Sequence, residues 1–548
     1  MRTELHMRSY VFRVCAFVVL LPLMYSMVQA QSEQEVWNPD NGDGTYTNPI
    51  IHADYSDPDV IRVDNDFYLI SSSFNSAPGL PVLHSKDLVN WKIIAHVFQQ
   101  QLPRDVFAKP QHGNGAWAPA MRYHDGYFYI YYPDPDYGIY LSKARNAAGP
   151  WTEPLLIKSA KGWIDPCPFW DTNGKAYLVH AWANSRSGIK SILTINKMSS
   201  DGTKILDEGR TVFDGRSTQP TIEGPKLYKR NGFYYIFAPA GGVPTGWQTV
   251  LRSRNIFGPY QARIVMDQGG TQINGPHQGA WVQLKSGESW FLHFQDKGSY
   301  GRVVHLQPLQ WRNNWPVIGR DRNHDGKGEP VNTFRKPKLS DHGPHQVPQT
   351  SDEFDSTQMG LQWQWQANFD DSWWTLSGKQ GWLRLNAVPL PLEAVNLWPV
   401  PNLLLQKIPA PEFTLTTRLD ANNLSIGEEA GLVLMGMDYS YLAVVRSDSG
   451  FRLEKTICKD ANTGVEESEE AGLNIANGLL NLRLTMNKDG VARFSFSSDG
   501  NKFIAIGEPF KAREGKWIGA RVGLFSLAMS EEPRHGYADF DWFRFEKN

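Results

Sequence analysis

One short pattern recurs five times in the first part of the chain and limits the folds open to it. A polar or aromatic residue beside Pro or Gly leads into a strand, a tight turn and a second strand. Thr221-Ile222-Glu223-Gly224-Pro225-Lys226-Leu227-Tyr228 runs through Asn231-Gly232 into Phe233-Tyr234-Tyr235-Ile236. Asn-Gly between two such runs is a strong short-range hairpin signal. The same pattern opens at Asp57, Trp117, Asp165 and His277. Short strands repeated at this period point to a β-propeller.

In a propeller the innermost strand of each blade begins near the central axis. Residues at those starts converge, although they are far apart in the chain. The converging set here is Asp57, Trp117, Asp165, Glu223 and His277. Three carboxylates, an indole and an imidazole around one funnel suit the cleavage of a sugar bond, where two carboxyl groups of different proton affinity do the chemistry. An Asp-Pro pair such as Asp57-Pro58 often marks only a turn; its place at the repeated inner position favours a functional reading. Asp59 faces the other side of the strand by alternation and reads as structural. Phe74 follows the first hairpin and is read as a pocket wall or a core residue. Trp117 is read as a stacking platform for a sugar ring. Arg302, in Tyr300-Gly301-Arg302-Val303-Val304-His305, falls on a later strand of the fifth blade, where it can pair with a carboxylate or donate to a sugar hydroxyl.

The rest of the chain is less specific. Thr45-Tyr46-Thr47-Asn48-Pro49-Ile50 reads as a strand that completes the last blade, and the residues before it as a loose leader. Asp321, Asn323, Asp325 and Gly326 have the spacing that opens a calcium loop, but the closing Glu and the flanking helices are missing, which favours an Asx-rich turn. From about Ser351 the texture changes to strict alternation, as in Phe413-Thr414-Leu415-Thr416-Thr417-Arg418-Leu419, with turns such as Ser498-Asp499-Gly500. This predicts a second domain, an antiparallel β-sandwich without a catalytic constellation.

Arg8 and Arg13 precede an apolar run that ends in Val28-Gln29-Ala30, the pattern of a cleaved signal peptide and so of a secreted or periplasmic protein. The run is too short for a comfortable membrane span. Net charge is −2, which implies no general affinity for nucleic acid or anionic membrane. The mature chain keeps Cys167 and Cys458, placed in different domains, so no disulfide is expected. The layout predicted is a signal peptide 1–30, a leader 31–44, a five-bladed propeller 45–335, a linker 336–350 and a sandwich 351–548.

The motifs as a set resemble glycoside hydrolase family 43. Asn48-Pro49-Ile50 through Ser56-Asp57-Pro58-Asp59 is similar to that family's opening motif, and Trp117-Ala118-Pro119, Ile164-Asp165-Pro166, Ile222-Glu223-Gly224-Pro225 and Tyr300-Gly301-Arg302 to its later ones, in the family's order. The C-terminal part resembles the concanavalin-type sandwich of the β-xylosidase branch, which helps close the pocket there. The resemblance implies a general base at Asp57, a general acid at Glu223 and a residue tuning the acid at Asp165. Arg302 and Trp117 would contact sugar. His277 would ligand a calcium ion on the axis, completed by water; no organic cofactor is implied. The implied activity is inverting, exo-acting release of a terminal pentose from xylo- or arabino-oligosaccharides. The xylosidase branch shows Tyr and His after Ala240-Gly241-Gly242, where this chain has Val243-Pro244-Thr245-Gly246-Trp247-Gln248. That departure bears on the substrate: β-1,4-xylose is preferred, and α-L-arabinofuranose is the close alternative. A carbohydrate-binding propeller without turnover is the reading from another class.

Overall fold

A computed structural model describes residues 35–529 and 536–548. The signal-peptide reading lies outside the described residues. Five four-stranded antiparallel sheets follow one another along the chain, over 59–98, 120–159, 163–214, 226–266 and 277–318. Each is a simple meander of contiguous strands, so the five hairpins read from sequence are the two inner strands of five blades.

Apolar clusters lie between neighbouring blades and hold them in a ring. Ile70, Val82 and Val97 of the first blade pack with Ile130 and Tyr132 of the second. Ala280, Leu292 and Leu306 of the fifth pack with Val60, Leu69 and Leu83 of the first, which closes the circle. Between the first two blades, Asp59 is fully buried and accepts from the Met121 amide and Arg122 Nη1, each at 2.7 Å. The alternation argument that removes Asp59 from the site therefore holds.

The ring is not closed by a shared strand. Thr45–Thr47 pairs with Thr333–Arg335 in a separate two-stranded ribbon, and the last blade takes all four strands from its own segment. Besides the apolar cluster, the closure uses a short backbone bridge between Ile51 and Val304 and one side chain. Asn48 Nδ2 donates to the carbonyls of Leu306 and Val331, and its Oδ1 accepts from the Leu306 amide, all at 2.8 Å. Nor is the described end of the leader loose. The Trp37 indole donates to the Pro49 carbonyl at 3.0 Å, and Asp40 pairs with Lys336.

Residues 336–350 run without helix or strand along the first blade, where the Gln346 and Gln349 side chains bond to its backbone. Beyond them two eight-stranded sheets form the sandwich. Its interior is a continuous apolar cluster that includes Leu415, Leu432, Leu482 and Phe540. Among the described residues both cysteines are free and buried.

Glu35 to Asn548 make one compact unit, and the two halves share a polar seam. Ala77 and Trp365 exchange backbone hydrogen bonds at 3.2 and 2.6 Å. Asn368 Oδ1 accepts from the Gln101 amide at 2.7 Å, while its Nδ2 donates to the Gln101 carbonyl at 2.9 Å. The amide of Gly519 donates to Asp54 at 3.0 Å and that of Ala520 to Ser299 at 2.7 Å.

Candidate active site

The residues at the blade mouths are held by local backbone that few side chains accept. Asp57 and Asp165 both have φ of +56°, in the left-handed region that short polar side chains tolerate best. Asp57 stands two residues before its inner strand, Asp59–Val63, and Glu223 three before Lys226–Arg230. Asp165 lies inside its strand, Trp163–Trp170, where the register slips between Ile164 and Cys167. A bulge re-aims a side chain in this way. Strain of this kind gathers at functional sites.

Asp57 is 6% exposed. Its Oδ2 accepts from Ser72 Oγ at 2.6 Å and Ser56 Oγ at 2.8 Å. Arg302 Nη1 lies 3.3 Å from Oδ1 and also donates to Ser56 at 2.6 Å. The Arg302 Nε is buried and makes no hydrogen bond, with Asp296 Oδ2 3.9 Å away. Asp57 is thus an acceptor held by donors on several sides.

Asp165 and Glu223 form the second half of the site. Asp165 Oδ2 accepts from the Gly224 amide at 2.8 Å. Burial pushes its carboxyl up to about 7, the negative charge of Glu223 adds to this, the Gly224 bond opposes it, and Asp57 adds a smaller push. Asp165 therefore feels the charge of both other carboxyls. Lys226, fully buried, counters part of the charge. The Glu223 side chain is 27% exposed and turns Oε1 to His277 Nε2 at 2.9 Å.

Trp117 lies beside Phe74, with ring centroids 6.4 Å apart, and its indole donates to the Gly113 carbonyl at 2.9 Å. Phe74 is buried and exchanges backbone hydrogen bonds with Ala116 at 3.0 Å, which fixes it next to the Trp117 loop. Arg186 stands 5.5 Å over the indole and is itself held by Asn114 and Asp136.

The expectation for His277 is contact with an ion. The ring is fully buried and bonds to Glu223 through Nε2, while its Nδ1 has no hydrogen bond. Among the described residues no group of three or more His, Cys, Asp or Glu is placed to hold a metal. Calcium takes six to eight oxygen ligands. These residues fit only an ion held by one ring nitrogen and otherwise by water. In the Asp321 turn, Asp321 Oδ2 accepts from Arg312 at 2.7 Å and from the Gly326 amide at 3.3 Å, as an Asx-rich turn would.

The sandwich contributes a loop that sequence reasoning does not find. A cavity of about 250 Å³ is lined by Asp296 and Arg302 from the propeller and by Glu514, Lys516 and Trp517 from the sandwich. The same loop reaches the Trp117 side: a Cβ at Gly113 would lie 2.5 Å from Lys516 Cγ and 2.9 Å from Trp517 Cδ1. Trp517 is 51% exposed with φ of +64°. An exposed indole in a strained loop is a signal no periodicity reveals. Ser56 and Ser72, which hold Asp57, also escape a sequence reading, because serines near turns are common.

The family model described as glycosyl hydrolases family 43 matches residues 46–316, and that of the beta-xylosidase C-terminal concanavalin A-like domain matches 351–546. A beta-xylosidase of Formosa agariphila is 33% identical over 94% of this chain and 93% of its own length.

The chain belongs to glycosyl hydrolases family 43.

As a family-43 protein it has further relatives at full length. A Xylanibacter ruminicola protein, provisionally named a beta-xylosidase, is 41% identical over 89% of this chain and 88% of its own. A non-reducing end alpha-L-arabinofuranosidase of Bacteroides ovatus is 29% identical over 91% of this chain and 94% of its own. The crystal structure of a xylan beta-1,4-xylosidase from Bacillus halodurans covers 91% of this chain and all of its own, at 26% identity and a TM-score of 0.81. The family-43 chain described here is a glycoside hydrolase with a five-bladed propeller and a C-terminal sandwich.

Proposed function

We propose that this hydrolase is inverting and exo-acting and removes a terminal pentose, β-1,4-linked xylose from xylo-oligosaccharides. The observation that carries the reading is the division of the three carboxyls. Asp57 is gripped as an acceptor by Arg302, Ser56 and Ser72. Burial, and next the charge of Glu223, keep a proton on Asp165 up to about pH 7, and two acids this closely coupled exchange it.

Glu223, the more exposed of the pair, gives that proton to the leaving oxygen as the glycosidic bond breaks. Asp57 takes a proton from the water that attacks the sugar carbon from the opposite face. The product is the inverted sugar, and solvent exchange returns the proton from Asp57 to the Asp165–Glu223 pair. Room for that water requires roughly 6.5–9.5 Å between the Asp57 and Glu223 carboxyls, against about 5 Å for a covalent route. The Trp517 loop at the cavity mouth supports exo-action, since it leaves less room for a continuous chain. An axial calcium, when bound, would take His277 Nδ1 and water, and would steady the Glu223 carboxyl through the same ring. The N-terminal segment supports export.

The names of the Formosa and Bacillus halodurans proteins support xylose. A second reading, α-L-arabinofuranosidase, is favoured by the Bacteroides ovatus relative and by the loop after Gly242, which Asn274 pins through the Pro244 carbonyl at 3.0 Å. The deciding experiment compares 4-nitrophenyl β-xyloside with 4-nitrophenyl α-arabinofuranoside and follows the first-formed anomer by NMR. Faster turnover of the xyloside, with α-xylose appearing first, is expected. Retained configuration would defeat the mechanism; preference for the arabinofuranoside would defeat the substrate.

A further inference from the structure

Between the two halves, on the sandwich side of Phe74, lies a second and much smaller cavity of about 20 Å³. That is room for one water-sized or monatomic body. Asn75 and Ser76 line it from the propeller, and Gly515, Gly519 and Arg521 from the sandwich.

Arg521 is 4% exposed. Its Nη1 donates to Ser76 Oγ at 2.5 Å. Its Nε and Nη2 are buried and have no partner. These two N–H groups stand side by side along one edge of the guanidinium, the fork that grips anions. The carboxylate that acts on Arg521 is Asp54, and both its oxygens are engaged elsewhere: Oδ1 accepts from the Arg302 amide at 2.9 Å and Oδ2 from the Gly519 amide at 3.0 Å. Lys407 pairs with Arg521 across adjacent strands and adds a second cation. Burial, and next the charge of Arg521, push the Lys407 ammonium down to about 7, with Asp54 opposing. His112, at the cavity edge, is held down to about 4 by burial and adds no charge at neutral pH. A guanidinium with two unmet N–H groups thus stands in a dry seam whose one carboxylate is engaged elsewhere, and a buried charge without a partner is strongly disfavoured.

We propose that this cavity binds one small monovalent anion of halide size on the free Nε–Nη2 edge of Arg521. The anion joins two segments that end in pocket residues. Gly515 and Gly519 bracket Trp517, and Asn75 and Ser76 directly follow Phe74. Filling the cavity ties the Trp517 loop to the Phe74 segment, so a halide raises affinity for the sugar without touching it. Water fits the space but leaves the charge in place.

The test uses the full-length enzyme in two arms. Crystals soaked in sodium bromide should show an anomalous peak within hydrogen-bond reach of Arg521 Nε and Nη2. Replacing chloride by gluconate at constant ionic strength should raise KM severalfold for whichever 4-nitrophenyl pentoside is turned over, and lower the melting temperature by a few degrees. R521M should lose both the peak and the chloride dependence; R521Q, also uncharged, serves if R521M fails to fold. Absence of bromide at Arg521 in the wild-type crystals would overturn the proposal, as would a chloride dependence that survives in the Arg521 variant. Neither result would alter the assignment of the carboxyls.

Discussion

Asp165 Oδ2 stands 2.8 Å from the amide nitrogen of Gly224, so the most deeply placed carboxyl is tied to the peptide that follows Glu223. The two acids are coupled, and their protons belong to the pair.

Activity should therefore fall as pH rises through about 7. Burial, then Glu223, raise the Asp165 carboxyl to about 7. The protonated pair is the form that can donate, so its loss on the alkaline side removes the acid. A profile of kcat/KM against pH checks this. A flat profile from pH 6 to 9 would separate the pair from proton donation.

Stability should respond to the same group. Its folded value lies above its ordinary value of 3.8, so its contribution is fully present below about pH 4 and is lost as pH rises to about 7. Asp165→Asn keeps an acceptor for Gly224 and carries no charge. In denaturant titrations the variant should match wild type near pH 4 and be the more stable of the two at pH 8. No gain at pH 8 would count against a buried, ionised Asp165.

Replacing Asp57 or Glu223 by Ala should lower kcat by roughly 10²–10⁴-fold while the melting temperature holds. A substrate with a very good leaving group should restore part of the rate in Glu223→Ala only, because such a group departs without a proton. Rescue of Asp57→Ala by that substrate would exchange or abolish the two roles.

Trp517→Ala should leave the fold unchanged, since the ring is half exposed. Loss of its stacking surface is worth about 1–2 kcal/mol, or roughly tenfold in kcat/KM. Steady-state kinetics beside a melting curve separates this from unfolding.

Asp59→Ala should behave in the opposite way. It strands Arg122 in a buried interface between two blades, at a cost of about 3–5 kcal/mol. Denaturant midpoints should shift strongly, while the folded fraction keeps near-normal kcat.

What the letters carry and what they do not has a physical reason. Asp57, Trp117, Asp165, Glu223 and His277 could be placed from the letters because a repeat puts each within three residues of the start of its blade's inner strand. Arg302 is legible through the same repeat. Asn48 is not, because a side chain and a one-residue backbone bridge at Ile51 can stand in for a whole strand at the closure, and nothing in Thr45-Tyr46-Thr47 distinguishes the two outcomes. Trp517 is not, because its loop has no period and its partners, Gly113 and Arg302, lie hundreds of positions away in the chain. His277 is legible in its position but not in its contact: spacing can bring a ring to the axis without saying which nitrogen meets Glu223.

The seam between the halves has a bearing on how such a chain changes over generations. Ala77 and Trp365 meet through backbone alone, but Asn368 with Gln101 and Asp54 with Gly519 depend on one particular side chain each. A sandwich borrowed from a distant cousin would leave those groups unmet in a dry place and would misplace the indole at the mouth. Exchanging the whole module would therefore disrupt this seam, whereas altering loops at the rim would leave it intact.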